Sequence, residues 1–241
     1  MKSPPLLLLA LVATLAAGSC RRPDVPSARD TPMPRPIYDP GTGTAVGVAD
    51  TVEPLVVFLG DSLTAGYGLA ADEAYPAHVE RLLGERGRRV EVLNAGVSGD
   101  TTAGGLERLD WFLARDPEIV VVELGGNDGL RGQPLAATEA NLRAIIERSS
   151  AAGAVVVLAG MRIPPNYGPE YAGEFEAMYV RLARDYDLAT IPFLLEGVAA
   201  EPSLNLPDGL HPNADGHRRV AETVADALEP IVADLEESGA G

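Results

Sequence analysis

The stretch LVVFLGDSLTAGYG, residues 55–68, runs from a β-branched apolar segment straight into Gly60-Asp61-Ser62. A short apolar run without polar alternation reads as a strand buried on both faces, and the glycine and polar residues behind it read as the turn that ends it. Alone, Gly60-Asp61-Ser62-Leu63 is an ordinary turn sequence, because Gly, Asp and Ser are common turn formers. The pattern recurs, however. VEVLN (90–94), EIVVVEL (118–124) and AVVVLAG (154–160) are runs of the same kind, and LATIPF (188–193) is a weaker fifth. Between them, 73–87, 102–115, 136–150 and 170–186 carry helical spacing and 213–236 makes a last helix, with Thr101 or Thr102 and Thr138 as starts for two of them. This alternation predicts an α/β fold: a three-layer α/β/α sandwich around a central parallel five-stranded sheet with right-handed crossovers. In such sheets ligands bind beyond the carboxyl ends of the strands, where the polar residues of this chain cluster.

The chain has 241 residues, 46% hydrophobic and 22% charged, enough for one substantial core and too short for two full-sized domains. A formal charge of −16, with no Lys/Arg-rich run, excludes nucleic acid as an expected partner. Lys2 precedes the apolar run LLLLALVATLAAGSC (6–20), which is too short for a permanent membrane span and has the layout of a secretory signal. Cys20 follows Ala17-Gly18-Ser19 and resembles a bacterial lipobox, in which the cysteine becomes the lipidated first residue of the mature chain; an ordinary cleavable signal with Cys20 incidental is the alternative. Residues 1–20 are thus read as a lipoprotein-type signal, the Pro-rich stretch 21–53 as a disordered tether, and 54–236 as the globular domain. The protein is expected in the bacterial cell envelope, lipid-anchored or periplasmic, and monomeric. A single cysteine leaves no intrachain disulfide.

Four clusters sit at strand ends: Gly60-Asp61-Ser62, Asn94-Ala95-Gly96, Gly125-Gly126-Asn127-Asp128, and Asp208-Gly209-Leu210-His211 before the last helix. Block for block they resemble the SGNH (GDSL) hydrolase superfamily. The spellings GDSLTAGYG, SGDTTAGGLERL, VELGGNDGLRG and DGLHPN are similar to its branch of periplasmic bacterial thioesterases, lysophospholipases and arylesterases. The resemblance spans about residues 54–232 and implies a flavodoxin-like fold and a serine hydrolase of acyl esters or thioesters that needs no cofactor and no metal. Carbohydrate or peptidoglycan O-deacetylation by the same machinery, or a noncatalytic lipid-binding lipoprotein, are the competing readings.

Ester cleavage requires a nucleophile, a base, a group that orients the base, and donors for the oxyanion. Ser62 supplies the hydroxyl at the start of a short helix. The chain has three histidines. His78 reads as a helix residue and His217 as a surface or groove-edge residue of the last helix. His211 has Asp208 three residues before it on a Gly-containing loop, so one turn can bring the carboxylate to Nδ1 while Nε2 faces Ser62. For the oxyanion hole the resemblance implies the backbone N–H of Ser62, the backbone N–H of Gly96 and the side-chain amide of Asn127; a bare Cα lets a substrate oxygen approach an amide closely. Asp61 and Asp128 are read as structural, the first shaping the nucleophile turn, the second capping the next loop. Gly96-Val97-Ser98-Gly99-Asp100 is a near miss to a nucleophile elbow and lacks its final glycine. Leu130, Ile163, Pro164 and Tyr167 are expected to wall an acyl groove, with Arg131 facing an anionic head group or water.

Overall fold

The computed structural model describes residues 53–239, so the leader, Cys20 and the tether up to residue 52 lie outside the described residues. The apolar run that opens the domain becomes β1 (Leu55–Gly60), buried along its whole length. After it come α1 (Ser62–Ala65), α2 (Tyr75–Glu85), β2 (Glu91–Gly96), α3 (Thr102–Leu113), β3 (Ile119–Glu123), α4 (Gly126–Leu130), α5 (Leu135–Ala151), β4 (Val155–Ala159), α6 (Pro169–Tyr186), β5 (Ala189–Ile191) and α7 (Ala214–Gly239). The sheet is wholly parallel in the order β2-β1-β3-β4-β5. α2 packs with α7 over one face, and α3, α5 and α6 cover the other. This is the expected α/β sandwich. No described helix is long and apolar enough to cross a membrane.

The order places the chemistry. β1 connects leftward to β2, whereas β3, β4 and β5 are laid down rightward, so the crossovers diverge between β1 and β3. A crevice opens outside the carboxyl ends of strands at such a switch point. Ser62 follows β1 and Asn127 follows β3, so both border that crevice.

Some elements differ from the sequence reading. β2 is not buried on both faces: it is an edge strand, with Glu91 and Asn94 exposed. β5 is only three residues long, because Pro192 directly after it cannot donate to a ladder. Thr101 does cap α3, accepting from the Gly104 N–H at 3.3 Å. Thr138 is not a helix start. α5 begins at Leu135 behind Pro134, whose φ of −58° and missing N–H suit the entry, and Thr138 is buried inside the helix.

His217 is a further correction. It is 1% exposed, its Nδ1 accepts the Tyr75 N–H at 3.1 Å, and its Nε2 is buried without a partner. Burial first, then the charges of His78 and His211, push it down to about 4. A free histidine titrates near 6.5, so between those values the unfolded chain binds the extra proton, and stability falls by up to about 3 kcal/mol as pH drops across the window. The urea midpoint is expected to fall accordingly, and His217→Gln to flatten the dependence. An equally steep fall in the variant would place the acid sensitivity elsewhere.

Candidate active site

The nucleophile turn is built by its neighbours. Asp61, 3% exposed, caps α1 by accepting the Leu63 N–H at 3.0 Å, and Gly66 closes the helix at φ 74°. Gly60 is required by space: a Cβ there would lie 2.0 Å from Thr64 Oγ1 and 2.6 Å from Glu123 Oε2. Ser62 is thus held at the first position of α1, 9% exposed.

The loop before α7 brings the base to it. Asn213 caps α7, its Oδ1 accepting from Asp215 and Gly216, while the Leu206 N–H donates to the His211 carbonyl at 2.8 Å. Asp208 Oδ1 accepts the backbone N–H groups of Leu210 (2.9 Å) and His211 (3.0 Å), leaving Oδ2 2.8 Å from His211 Nδ1. His211 Nε2 lies 3.0 Å from Ser62 Oγ. The neutral ring that suits both contacts carries its proton on Nδ1, donates it to Asp208 and accepts from the serine hydroxyl. Those backbone amides, with the imidazole, hold the Asp208 carboxyl down to about 2. It stays ionised wherever histidines titrate. Of the three histidines, only His211 meets a serine in this way among the described residues.

Asn127 follows as expected at the start of α4, its Nδ2 donating to Asp61 Oδ2 at 2.9 Å. One amide proton is so engaged and the other is left for a ligand. Gly96 does not fit its expected role. Its N–H already donates to Asn94 Oδ1 at 2.9 Å, and its missing Cβ serves packing, since a methyl there would fall 2.2 Å from the Ala65 nitrogen. Farther along the same loop, Val97 N–H donates to Gly60 O and Asp100 N–H to Val97 O. Among the described residues the amides of Ser98 and Gly99 have no protein acceptor. Gly99 adopts φ 81°, which favours glycine, and its carbonyl accepts from Arg131 Nη2 at 2.8 Å, tying this loop to the end of α4. Arg131 is therefore a brace between two loops.

A cavity of about 530 Å³ opens beside Ser62, Asn127 and His211, walled by Leu130, Met161, Ile163, Pro164, Phe193 and Leu210. Leu130, Ile163 and Pro164, named from the sequence as wall residues, line this cavity. Tyr167 does not: it is exposed, and its hydroxyl donates to the Leu130 carbonyl at 2.8 Å. Met161, just past β4, and Phe193, read from the sequence as the end of the fifth strand but placed beyond it, were not foreseen.

Other contributors were also missed. Arg108 of α3 pairs with Asp100 (2.8 Å) and donates to the carbonyls of Gly60 (2.9 Å) and Ala95 (2.5 Å), clamping the ends of β1 and β2. Its only signal was its place in SGDTTAGGLERL. Tyr67 lies against the His211 ring at 4.4 Å between centroids, although half of it is exposed. Asp128 caps a different element from the one expected: its carboxylate accepts the Thr102 N–H (2.9 Å) and hydroxyl (2.7 Å) at the start of α3. Glu123, at the end of a buried strand, has no exposure, and burial followed by the neighbouring Asp61 pushes its carboxyl well above the usual range. Among the described residues, no group of three or more His, Cys, Asp or Glu is placed to hold a metal ion.

Comparison with known proteins gives the same reading. The GDSL-like lipase/acylhydrolase family matches residues 58–219. Esterase TesA of Pseudomonas aeruginosa is 40% identical over 178 residues, 73% of this chain and 89% of that protein. Thioesterase 1/protease 1/lysophospholipase L1 of Escherichia coli K12 is 42% identical over 186 residues, 76% of this chain and 86% of that protein. The psychrotrophic esterase EstA from Pseudoalteromonas sp., in a crystal structure inhibited by monoethylphosphonate, matches with a TM-score of 0.70 at 33% identity, covering 75% of this chain and 100% of that one. On this match and these identities, this chain belongs to the GDSL-like lipase/acylhydrolase family as an esterase-type hydrolase.

Proposed function

We propose that the protein is an exported serine esterase that cleaves acyl esters or thioesters, lysophospholipids included, through an acyl-enzyme on Ser62. The observation that carries this is the 3.0 Å and 2.8 Å chain from Ser62 Oγ through His211 to Asp208 at the mouth of an apolar cavity. His211 Nε2 takes the hydroxyl proton as Ser62 Oγ bonds to the carbonyl carbon. The proton then passes to the alcohol or thiol as its bond to the acyl carbon breaks. Water, deprotonated by the same nitrogen, releases the acid and restores the hydroxyl. Asp208 holds the imidazole and stabilises its charged form. The carbonyl oxygen is received by the Ser62 N–H and the free amide proton of Asn127. The third donor is the Gly99 N–H, which is unengaged where that of Gly96 is not. Names among the relatives, esterase and thioesterase/lysophospholipase, support the substrate range.

The cavity wall favours an acyl chain over a sugar, because its aliphatic and aromatic side chains offer little to pair with hydroxyl groups. Hydrolysis of p-nitrophenyl esters is therefore expected to rise in kcat/KM from acetyl to medium chains. Each methylene buried against this wall contributes about 0.8 kcal/mol, roughly a fourfold gain per carbon until the cavity is filled. Activity confined to acetyl esters would instead make the protein an O-deacetylase, and no turnover of any ester would make it a binding protein. Residues 1–20 direct export in this reading, and acylated Cys20 holds the domain near a membrane on the 21–53 tether. The mass of the mature N-terminus distinguishes that from cleavage after another residue.

A further inference from the structure

Glu123 takes no part in the steps above, yet its carboxyl group lies directly behind the nucleophile turn. Its Oε2 accepts the Asp61 N–H at 3.1 Å and the Thr64 hydroxyl at 2.8 Å, and that hydroxyl meets the Tyr75 hydroxyl at 2.8 Å. Its Oε1 is buried without a hydrogen-bond partner. Among the described residues no arginine or lysine is paired with it. The Arg108 guanidinium, which reaches the Gly60 carbonyl, is already paired with Asp100. Two carboxyl groups, those of Asp61 and Glu123, are therefore buried side by side with no cation between them. Both cannot carry charge cheaply in that setting. Each accepts two hydrogen bonds, but those to Asp61 engage both of its oxygens, from the Leu63 N–H and Asn127 Nδ2, whereas both of those to Glu123 fall on Oε2 and leave Oε1 free to carry a proton; burial raises both carboxyls, Glu123 the further.

We propose that Glu123 is held as an un-ionised acid with its proton on the unpartnered Oε1, and that it is a positioning residue for Asp61 and, through Asp61, for the Ser62 turn and the Asn127 amide. This rests on the reading of Ser62 and Asn127 as the groups that meet the substrate. It has a chemical purpose there. Hydrolysis places negative charge on the oxygen between them, and a second carboxylate just behind would oppose that charge. A neutral acid supports Asp61 without adding one. Asp61 from the turn, Tyr75 from α2 and Tyr179 from α6 are the titratable groups facing Glu123, and burial keeps both tyrosines protonated well beyond their ordinary range. Raising the pH until Glu123 loses its proton should therefore misplace Asp61 and lower kcat with little change in KM.

The test uses the full-length protein and two variants. Subtracting the infrared spectrum of Glu123→Gln from that of the wild type near neutral pH should leave the carbonyl band of an un-ionised carboxylic acid. Glu123→Gln, neutral and of the same shape, is expected to lose only a few-fold in kcat and to lack the alkaline fall, while Glu123→Ala, which frees Asp61, loses about a hundredfold. Absence of the band, an unchanged alkaline fall in the Gln variant, or a Gln variant that does not fold would each overturn the proposal. Ser62→Ala leaves the band in place whatever it does to turnover, so failure of the serine-esterase reading is distinguishable from failure of this one.

Discussion

Ser62→Ala is expected to lower ester hydrolysis by at least about a thousandfold and to abolish covalent labelling by a fluorophosphonate. The removed atom is the one that His211 Nε2 meets at 3.0 Å, and no other serine among the described residues meets that nitrogen. The fold should not notice. The cap of α1 comes from Asp61, its close from Gly66, and alanine is at least as good a helix residue as serine. Circular dichroism and the urea midpoint should match the wild type. A variant that still turns over p-nitrophenyl esters at a rate within tenfold of the wild type would remove Ser62 from the mechanism. Loss of turnover with loss of folding would say nothing of chemistry, which is why the stability measurement accompanies the kinetics.

Asn127→Ala is expected to cost about two to three orders of magnitude in kcat, the range found when one oxyanion donor is removed. Most of that loss should fall on kcat and little on KM, because a donor aimed at the developing charge contributes more in the transition state than in the bound substrate. The variant also frees Asp61 Oδ2, which Asn127 holds at 2.9 Å, so part of the effect passes through the turn. Fluorophosphonate labelling of Asn127→Ala separates the two. A serine that still reacts, slowly, keeps its turn; a serine that does not react at all has lost it. Wild-type kcat in a folded Asn127→Ala protein would exclude the amide as a donor.

Both variants touch residues that stood out in the sequence, and the reason is local. Strand, turn and helix entry are encoded over a few neighbouring residues, so LVVFL followed by Gly60-Asp61-Ser62 announced where a buried strand ends and a side chain is released. The Asp208-to-His211 spacing did the same for the base, since one turn with Gly209 at φ 69° suffices to bring the carboxylate under the ring. Where a role depends on which partner a group meets once the chain has folded, the same reasoning failed. Gly96 lies in the right block, but whether its N–H is free depends on Asn94 folding back on it and on α1 packing against it. Tyr167 lies in the right loop, and its hydroxyl turns to the Leu130 carbonyl.

The sequence by itself determined the alternation of strands and helices, the strand ends at which polar residues collect, and which serine, histidine and aspartate form the chain. The first two are written in contiguous stretches through periodicity and turn chemistry; the serine, histidine and aspartate stood out through the resemblance of their blocks to a known family, with the Asp208-to-His211 spacing in support. Only the tertiary structure decided that β2 lies at an edge, that His217 is buried, that Phe193 joins Leu130 and Ile163 around one cavity, and that Glu123 backs onto Asp61. Those arrangements arise from packing between segments tens of residues apart, where burial and the nearest partner, rather than the residue's own neighbours, set what a side chain does.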